Sequence, residues 1–460
     1  MVRRMREPED ESDGLTVGLV HWALPPTIGG VETHLADYMQ VLHERGIRVV
    51  AFTGEKAAWR ELRRFGKVEY HELLHLTGSG AHAKDGPECV DTLVKWFGKK
   101  ARKHRIDVIH GHNLHNFSTA PARALNIVCP QQGIARHHTY HNYWDEMKRS
   151  AANVTCWEGQ WATSDFVARL CTGYGGNLPD TSYLGIRPER FASRRKPLEG
   201  RSTKADEPEG TPLILQPARL LLWKGPLYAL EMLGQLHDEG CRARLVLTDN
   251  SRLIDWDDER HALRAELTAK IEKMGLSDWV SFRSASCWEM PKLYEEADIV
   301  INPSHGEPLG LVALEAMAAG RPVVVTDSGG MAETVVHSTG ALIPDDDRIA
   351  EHLYFAVRSF LEDPERAVEA GEKGRRHVAE HFHTDTYAGQ MIDAYRKSRE
   401  AMRQKEEPPT DQQRWRRPAL RKGKTFVPRW APLPTSTYAA VPDLESVEPR
   451  EPAPAEAASR

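Results

Sequence analysis

The chain has 460 residues, 40% of them hydrophobic, and a formal net charge of -5. That length is enough for two or three domains with separate cores, and the charge balance predicts no nucleic-acid partner. The six cysteines show no C-x-x-C spacing, which argues against a disulfide framework or zinc cluster and favours a reducing cytoplasm. No apolar run approaches the roughly 20 residues of a membrane helix.

Residues 1–14 are charged and lack an apolar core, so we expect a disordered lead-in and neither a signal peptide nor an anchor. A first domain is predicted over residues 15–192. It opens with a strand at residues 16–22, a loop and a helix that stops at Gly46, and strands and helices keep alternating afterwards. This order is typical of a doubly wound parallel sheet. In the first loop, Gly29 and Gly30 let the backbone approach a ligand closely, although an isolated Gly-Gly pair is more often a plain turn.

Two histidine-rich segments follow, at residues 110–115 and 137–142. Their spacing does not match a metal site on a helix, and no set of Asp or Cys completes one, so we expect no metal. Imidazole both donates and accepts hydrogen bonds, and these residues could instead line a cleft and contact sugar hydroxyls.

Residues 193–210 are rich in charge, Pro and Gly and are predicted to form a linker. A second domain, residues 211–382, begins with a strand that ends at Arg219, and Lys224 lies five residues further on. Two cations beside a helix N-terminus would stabilise a diphosphate. The alternative is that both are solvated surface bases.

The stretch at residues 303–333 is the most informative. The apolar run at residues 299–301 predicts a buried strand, a polar turn follows, and a helix begins near Leu311 and stops at Gly320. Strand, loop and helix in this order favour an anion at the helix N-terminus. Glu307 and Glu315 bracket the turn and could bind a sugar and a ribose diol at its two ends, unless both are ordinary solvated carboxylates.

The E-x7-E spacing, with Pro-Leu-Gly-Leu-Val after Glu307 and Gly-Gly-x-x-Glu ending at Glu333, resembles the retaining nucleotide-sugar glycosyltransferases of the GT-B fold, glycosyltransferase family 4. The resemblance implies that Glu307 and the backbone of Pro308, Leu309, Gly310 and Leu311 hold the donor sugar and phosphates. It also implies that Glu315 binds the ribose. Leu309 stands where the family more often has Phe.

Other segments carry the same resemblance. Gly-Gly-Val-Glu at residues 29–32 resembles the family's loop that faces donor and acceptor, and R-x4-K-G at residues 219–225 resembles its phosphate-binding pair. Thr-Tyr-His-Asn at residues 139–142 resembles the segment whose histidine touches the donor sugar, which favours His141, with His138 as the alternative. Gly185 is retained in a turn where the family often has Asn-Gly-Val-Asp.

A final helix over residues 383–403 should cross back to the first domain. The tail, residues 404–460, is predicted to be disordered, and its basic-aromatic segment between residues 414 and 430 suggests peripheral contact with an anionic membrane or a strap on the protein surface.

The expected function is transfer of a hexosyl group from a nucleoside diphosphate sugar, with UDP favoured, to an acceptor hydroxyl or amine. Retention of configuration is implied by the resemblance. The acceptor would be a small molecule, a natural product or a cell-envelope glycoconjugate, and no metal or cofactor is expected. Alternatives are a sugar phosphorylase, a nucleotide-sugar epimerase and a non-catalytic nucleotide-sugar-binding protein. Acceptor, base, linkage and oligomeric state have no readable signature.

Overall fold

A computed structural model describes residues 14–76, 85–144, 147–205, 207–250 and 257–406. The predicted lead-in, apart from residue 14, and the tail beyond residue 406 lie outside these ranges. Within them the chain forms two parallel sheets, each flanked by helices, which confirms the predicted α/β class with two Rossmann-like domains.

The first sheet contains seven strands in the order β3-β2-β1-β4-β5-β6-β7, all parallel. Strands β1 to β7 are Thr16–Val20, Arg48–Thr53, Lys67–Tyr70, Val108–His112, Ala135–Tyr140, Gly159–Ala162 and Asp180–Thr181. The accompanying helices α1 to α6 are Gly30–Glu44, Ala58–Leu62, Pro87–His104, Ala120–Gln131, Lys148–Ala151 and Asp165–Cys171.

The second sheet has the order β10-β9-β8-β11-β12-β13 and is also parallel throughout. Strands β8 to β13 are Leu213–Gln216, Arg244–Thr248, Val280–Arg283, Ile299–Asn302, Val323–Thr326 and Gly340–Ile343. Helices α7 to α14 are Pro226–Asp238, Asp257–Lys273, Met290–Glu296, Leu311–Ala318, Met331–Thr334, Ile349–Glu362, Pro364–His381 and Thr384–Glu406.

The central strands of both sheets are buried on both faces. Every residue of β1, β4, β8, β11 and β12 is buried. Helices cover both sides of such a sheet, so its strands bury residues on both faces, and β4 buries His110 and His112 along with its apolar residues. Their hydrophobic runs are therefore the part of each domain that the sequence predicts most directly.

Each sheet reverses its strand order once, between β1 and β4 in the first and between β8 and β11 in the second. In an open α/β sheet the loops that leave the carboxyl ends of the strands diverge at this switch point and form a crevice for a ligand. The fold therefore has two such crevices, one in each domain.

The two domains are joined twice, and the joining segments pair with each other. Ile186 N donates to Phe382 O at 2.9 Å, and Thr384 N donates to Ile186 O at 2.9 Å. A Cβ on Gly185 would lie only 2.4 Å from the carbonyl carbon of His383. This close approach of two backbones explains why a glycine is retained in a turn that otherwise departs from the family pattern.

Helix α14 packs on the first domain, as predicted for a helix that crosses back. The Tyr395 hydroxyl lies 2.9 Å from the Tyr38 hydroxyl of α1, and the same Tyr395 hydroxyl contacts His110 Nδ1 of β4. At its start, Asp385 accepts from the Arg45 guanidinium at 3.1 Å. The first domain therefore contains the start of the described chain and also binds its last helix, α14.

The linker residues 193–205 and 207–210 contain no helix or strand, yet they are held against the second domain. Arg195 donates to Ala297 O at 2.6 Å and to the buried Asp298 at 2.8 Å, and Leu198 is buried. Asp298 also accepts from the backbone N–H of Leu198 and Leu213 at 2.7 and 2.8 Å. The charged side chain of Arg195 in this segment therefore helps to satisfy the buried Asp298 carboxylate.

Candidate functional site

The loops after β8 and β11 carry the predicted diphosphate and sugar residues, and both leave the second sheet at its switch point. The first loop brings Arg219 and Lys224 to this crevice, and the second brings Glu307. His305 N donates to Trp223 O at 2.9 Å, which ties the two loops together. Adjacent strands therefore explain how residues more than 80 positions apart meet.

Lys224 and Glu307 form a direct ion pair between Lys224 Nζ and Glu307 Oε2, and the side chains are 10% and 13% exposed. The Lys224 ammonium also lies 3.8 Å from the centroid of the Trp223 ring. Burial lowers the pKa of Lys224, the Glu307 carboxylate opposes that shift, and the positive charge of Arg219 adds to it. Arg219 and Lys224 are thus close enough to act electrostatically on one another.

The loop that joins β11 to α10 is held by the segment before α11 and by the first domain. Gly330 N donates to Glu307 O at 2.7 Å, and a Cβ on Gly329 would lie 2.2 Å from that same carbonyl oxygen. The first domain reaches this loop as well, since Ser164 Oγ donates to Pro308 O at 2.6 Å.

Helix α10 starts directly after this loop. Gly310 has a φ of 89°, a left-handed conformation that glycine adopts easily, and α10 begins at Leu311. Leu309 is buried and packs with residues of the first domain's core. The N–H groups at the start of α10 are those that the helix itself leaves unpaired, and they are suited to an anion.

Glu315 lies one turn further along α10 and is buried. Tyr294 Oη donates to Glu315 Oε2 at 2.6 Å. Burial raises the pKa of Glu315 to about 7, whereas the Tyr294 hydrogen bond and the charge of Arg190 act in the opposite direction. Arg190 is itself paired with Asp37 of α1, so charges associated with the first domain lie within reach of this carboxylate.

Gly29 and Gly30 bring the start of α1 against the start of α10. Helix α1 begins at Gly30, and a Cβ added to Gly30 would lie 3.3 Å from Leu311 Cδ1. Two helix N-termini, one from each domain, therefore converge. The donor-facing role assigned to Gly29 and Gly30 stays a prediction.

His141 follows β5 immediately and is buried. Its Nε2 lies 2.9 Å from His112 Nδ1, and its Nδ1 has no hydrogen-bond partner among the residues that the structure describes. Burial, with the nearby histidines adding to it, lowers the pKa of His141 well below its ordinary value. The imidazole is therefore neutral at pH 7 and keeps one ring nitrogen for another partner.

His138 is a core residue of the first domain, where burial lowers its pKa and the charge of His141 helps to lower it. It is fully buried inside β5, its Nε2 accepts from Leu114 N at 3.2 Å, and its ring packs 4.4 Å from Tyr140 and 5.9 Å from Trp157. Residues 138 and 140 share one face of the strand because side chains alternate. This face is filled by the first domain's own core, and the assignment of His138 to the donor site stays a prediction.

Several contacts between the domains were not anticipated from the sequence. Glu333 accepts from the N–H groups of Asp165 and Phe166 at 2.8 and 2.7 Å and from Tyr183 Oη at 3.0 Å, so a carboxylate of the second domain caps α6 of the first. Ser164 is recognisable as an N-cap from its sequence. Nothing local signals its contact with Pro308.

In the described ranges, no group of three or more His, Cys, Asp or Glu side chains is placed to hold a metal ion. Among the helices of those same ranges, none is both long and apolar enough to cross a membrane.

Comparison with known proteins gives two family matches. Residues 28–174 match "Glycosyltransferase Family 4", and residues 201–377 match "Glycosyl transferases group 1". The D-inositol 3-phosphate glycosyltransferase of Segniliparus rotundus is 34% identical over 413 residues, which cover 82% of this chain and 86% of that protein.

The 2-deoxystreptamine glucosyltransferase of Streptomyces kanamyceticus is 28% identical over 249 residues, 54% of this chain and 61% of that relative, so this match spans less than two thirds of the relative's length. Among solved structures, Anabaena Alr3699/HepE in complex with UDP and glucose superposes with a TM-score of 0.65 at 19% identity. That alignment covers 83% of this chain and 100% of HepE. The likeness establishes the GT-B arrangement of two Rossmann-like domains.

Proposed function

Because the chain belongs to glycosyltransferase family 4, we propose that it transfers a hexosyl group from a nucleoside diphosphate sugar to a hydroxyl or amine of a small acceptor, with retention of configuration. The observation that carries this proposal is the Lys224–Glu307 ion pair at the switch point of the second sheet, next to the start of α10 and within electrostatic reach of Arg219. We assign Arg219, Lys224, Glu307 and Glu315 to one donor site around this pair.

The departing diphosphate is the group that needs most stabilisation. Negative charge builds up on it as the glycosidic bond breaks, and preorganised positive groups that stabilise this charge lower the activation barrier. Lys224 and Arg219 supply full charges, and the N–H groups at Gly310 and Leu311 supply partial ones. We assign these four residues to the diphosphate, with no metal ion needed to neutralise it.

Glu307 would have two tasks. Its Oε2 holds the Lys224 ammonium, which orients the lysine toward the crevice. Its other oxygen can accept from hydroxyls of the donor sugar. From the opposite domain, His141 would contact the same sugar through Nδ1, which has no partner within the described ranges. Contacts from both sides require a closed cleft, and closure excludes the water that would otherwise hydrolyse the donor.

Glu315 would bind the ribose. An ionised carboxylate accepts two hydrogen bonds from a diol, and Tyr294 already fixes its orientation with a bond of 2.6 Å to one oxygen. Burial disfavours the charge on this carboxylate until a ligand supplies hydrogen-bond donors. We therefore expect nucleotide binding and ionisation of Glu315 to be coupled.

We favour UDP as the nucleotide, and the UDP and glucose in the HepE complex make UDP-glucose the first donor to test. The names of the two relatives suggest the acceptor probes, 2-deoxystreptamine and D-inositol 3-phosphate. A cytoplasmic location, and peripheral membrane contact through the basic segment of the tail, are further parts of the proposal. That segment lies outside the described residues.

The test is a transfer assay. The protein is incubated with UDP-glucose and with GDP-mannose, each with and without the acceptor probes, while diphosphate release and glycosylated product are measured. Acceptor-dependent release of nucleoside diphosphate supports the proposal, and the anomeric configuration of the product tests retention. Turnover that requires inorganic phosphate would indicate a phosphorylase. Conversion of the donor without release would indicate an epimerase, and nucleotide binding without either would indicate a non-catalytic protein.

A further inference from the structure

A separate cavity lies in the second domain, at the other end of the strands from the donor crevice. Its volume is about 770 Å³, which is within the range of small-molecule sites in proteins. Leu213 and Arg244, the first residues of β8 and β9, line it together with Arg201 of the linker. The donor crevice lies at the carboxyl ends of β8 and β11, so the two sites use different residues.

One face of the second sheet is open at its outer edge, and this opening creates the cavity. Arg244 of β9 pairs with Leu213 of β8. Two residues further along β9, Val246 pairs with Ser281 of the edge strand β10, so all four side chains share one face. Helix α9 packs on this face next to β8, whereas Ser281 at the edge is exposed. Linker residues line the cavity as well, which makes it a trough between sheet and linker.

Arg244 brings a guanidinium into this cavity without a hydrogen-bond partner for its Nε. That nitrogen is buried, and none of the described residues accepts from it. Burial and the nearby charge of Arg201 lower the pKa of Arg244, while Glu209, Asp298 and Glu296 act in the opposite direction. Because buried N–H groups in proteins nearly always have a partner, this one points to an acceptor that the described part of the chain does not supply.

Arg201 has the same kind of unsatisfied group. Its Nε is also buried and without a hydrogen bond among the described residues, although it lies 3.3 Å from Asp298 Oδ2. The Asp298 carboxylate already accepts from Arg195 and from two backbone N–H groups. One buried carboxylate therefore faces two arginines, and Arg244 adds a third positive charge. Guanidinium groups bind phosphate oxygens through paired hydrogen bonds, so Arg201 and Arg244 suit a phosphate.

The other charged residues of the lining limit the kind of anion that fits. Arg283 is paired with Glu296. Glu207, Glu209 and Asp278 also line the cavity, and all three are exposed. Their negative charges would repel phosphate alone, but carboxylates accept hydrogen bonds from hydroxyl groups. The lining therefore fits a molecule that joins one phosphate to several hydroxyls.

We propose that this cavity is a binding site for a phosphorylated sugar or polyol, whose phosphate binds Arg201 and Arg244 and whose hydroxyls donate to the exposed carboxylates. This site goes beyond the proposed transfer reaction and does not rest on it. A ligand held there would connect the linker to the edge of the second sheet. It would leave the donor crevice free.

Isothermal titration calorimetry of the full chain tests the site, with D-glucose 6-phosphate, D-glucose and inorganic phosphate as probes. Glucose 6-phosphate should bind the wild type more tightly than either of the other two. Arg244→Gln should weaken this binding at least about tenfold, because a hydrogen bond to a charged group is lost. Ser281→Asp, which adds a negative charge to the lining at an exposed position, should weaken it as well.

Arg242→Gln is the matched control. Arg242 is also half-buried and lies two positions before Arg244, but its Nη1 is 3.0 Å from His237 Nδ1 and it lies outside the cavity lining. The Kd of this variant for glucose 6-phosphate should stay within about threefold of the wild-type value. Lys224→Met, which alters the donor crevice, should bind the probe as the wild type does.

Arg244→Gln should keep the Tm of the unliganded protein, because the Nε that it removes has no hydrogen bond to lose. If this variant does not fold, Ser281→Asp decides the test. Failure of the wild type to bind glucose 6-phosphate would overturn the inference, as would equal affinity in the wild type and the cavity variants. Loss of binding in Lys224→Met would place the probe in the donor crevice and would also overturn it. Inorganic phosphate that binds as tightly as glucose 6-phosphate would contradict the role of the hydroxyls.

Discussion

Replacing Lys224 by Met tests the electrostatic assignment most sharply. The ammonium is 10% exposed and in contact with Glu307, so water screens it poorly. Two unit charges about 4 Å apart at an effective dielectric constant of about 20 interact by about 4 kcal/mol. Loss of one preorganised group of this kind elsewhere costs about 3 kcal/mol of transition-state stabilisation, or about 10² to 10³ in kcat. We expect a fall in kcat of that size, measured as steady-state release of nucleoside diphosphate.

The substitution also leaves Glu307 without its partner, so stability must be separated from catalysis. Thermal unfolding of Lys224→Met identifies any loss of fold, and a fully folded variant is required for the comparison. Lys270→Met is the control, because Lys270 forms a 2.6 Å ion pair with Glu231 on the surface, where such pairs contribute about 0–1 kcal/mol. A folded Lys224→Met protein with kcat within about threefold of wild type would refute the role assigned to this lysine.

Three further substitutions test other parts of the structure. Burial raises the folded-state pKa of Glu315 from 4.5 to about 7. Between about pH 4.5 and 7 the folded protein therefore keeps a proton that the unfolded chain releases. The free energy of unfolding should fall by up to about 3 kcal/mol as the pH rises through this range. Glu315→Gln should lose that pH dependence in denaturant titrations at pH 5 and pH 8, and an identical slope in wild type and variant would contradict the burial argument. Gly185→Ala places a Cβ 2.4 Å from the backbone of His383 and should lower stability by about 1–3 kcal/mol, measured from Tm; an unchanged Tm would show that the crossing is not tightly packed. Glu333→Ala removes three hydrogen bonds to the first domain and should cost about 1–3 kcal/mol in denaturant unfolding, whereas an exposed-site value below about 0.5 kcal/mol would exclude the capping role.

The residues assigned to the second-domain crevice lie in short local stretches of the sequence. The strand before Arg219 and the strand before Glu307 are both continuous apolar runs, and the family resemblance assigns both following loops to the donor. The structure adds that β8 and β11 are neighbours, which brings Lys224 and Glu307 into contact. Local periodicity alone could not have given that pairing.

Contacts between the domains were beyond prediction for a physical reason. Ser164 and Pro308 are 144 residues apart, and Phe166 and Glu333 are 167 apart. A helix-capping pattern identifies the donor groups at the start of α6, but any carboxylate in the chain could satisfy them. Only the relative placement of the two sheets selects Glu333.

The position where β5 ends decides which of the two candidate histidines lies inside the strand. Neighbouring positions in a strand point to opposite faces, and the sequence did not reveal where β5 stops. His138 lies within it and faces the core, while His141 follows its last residue, Tyr140, and reaches the cluster with His112. A few residues along the strand therefore separate a side chain packed in the core from one that contacts His112.

The central claim is that the crevice from Arg219 to Glu315 binds a nucleoside diphosphate, and nucleotide-induced stabilisation measures this directly. Thermal unfolding would be recorded with UDP, dTDP, GDP and ADP for wild type and Glu315→Ala. A nucleotide at about 100 times its Kd adds about 2.7 kcal/mol of stability, which is enough to rank the four. We predict that one of them, UDP in our proposal, stabilises the wild type and that the variant loses this response. Equal stabilisation of both proteins, or none by any of the four nucleotides, would contradict the donor site described here.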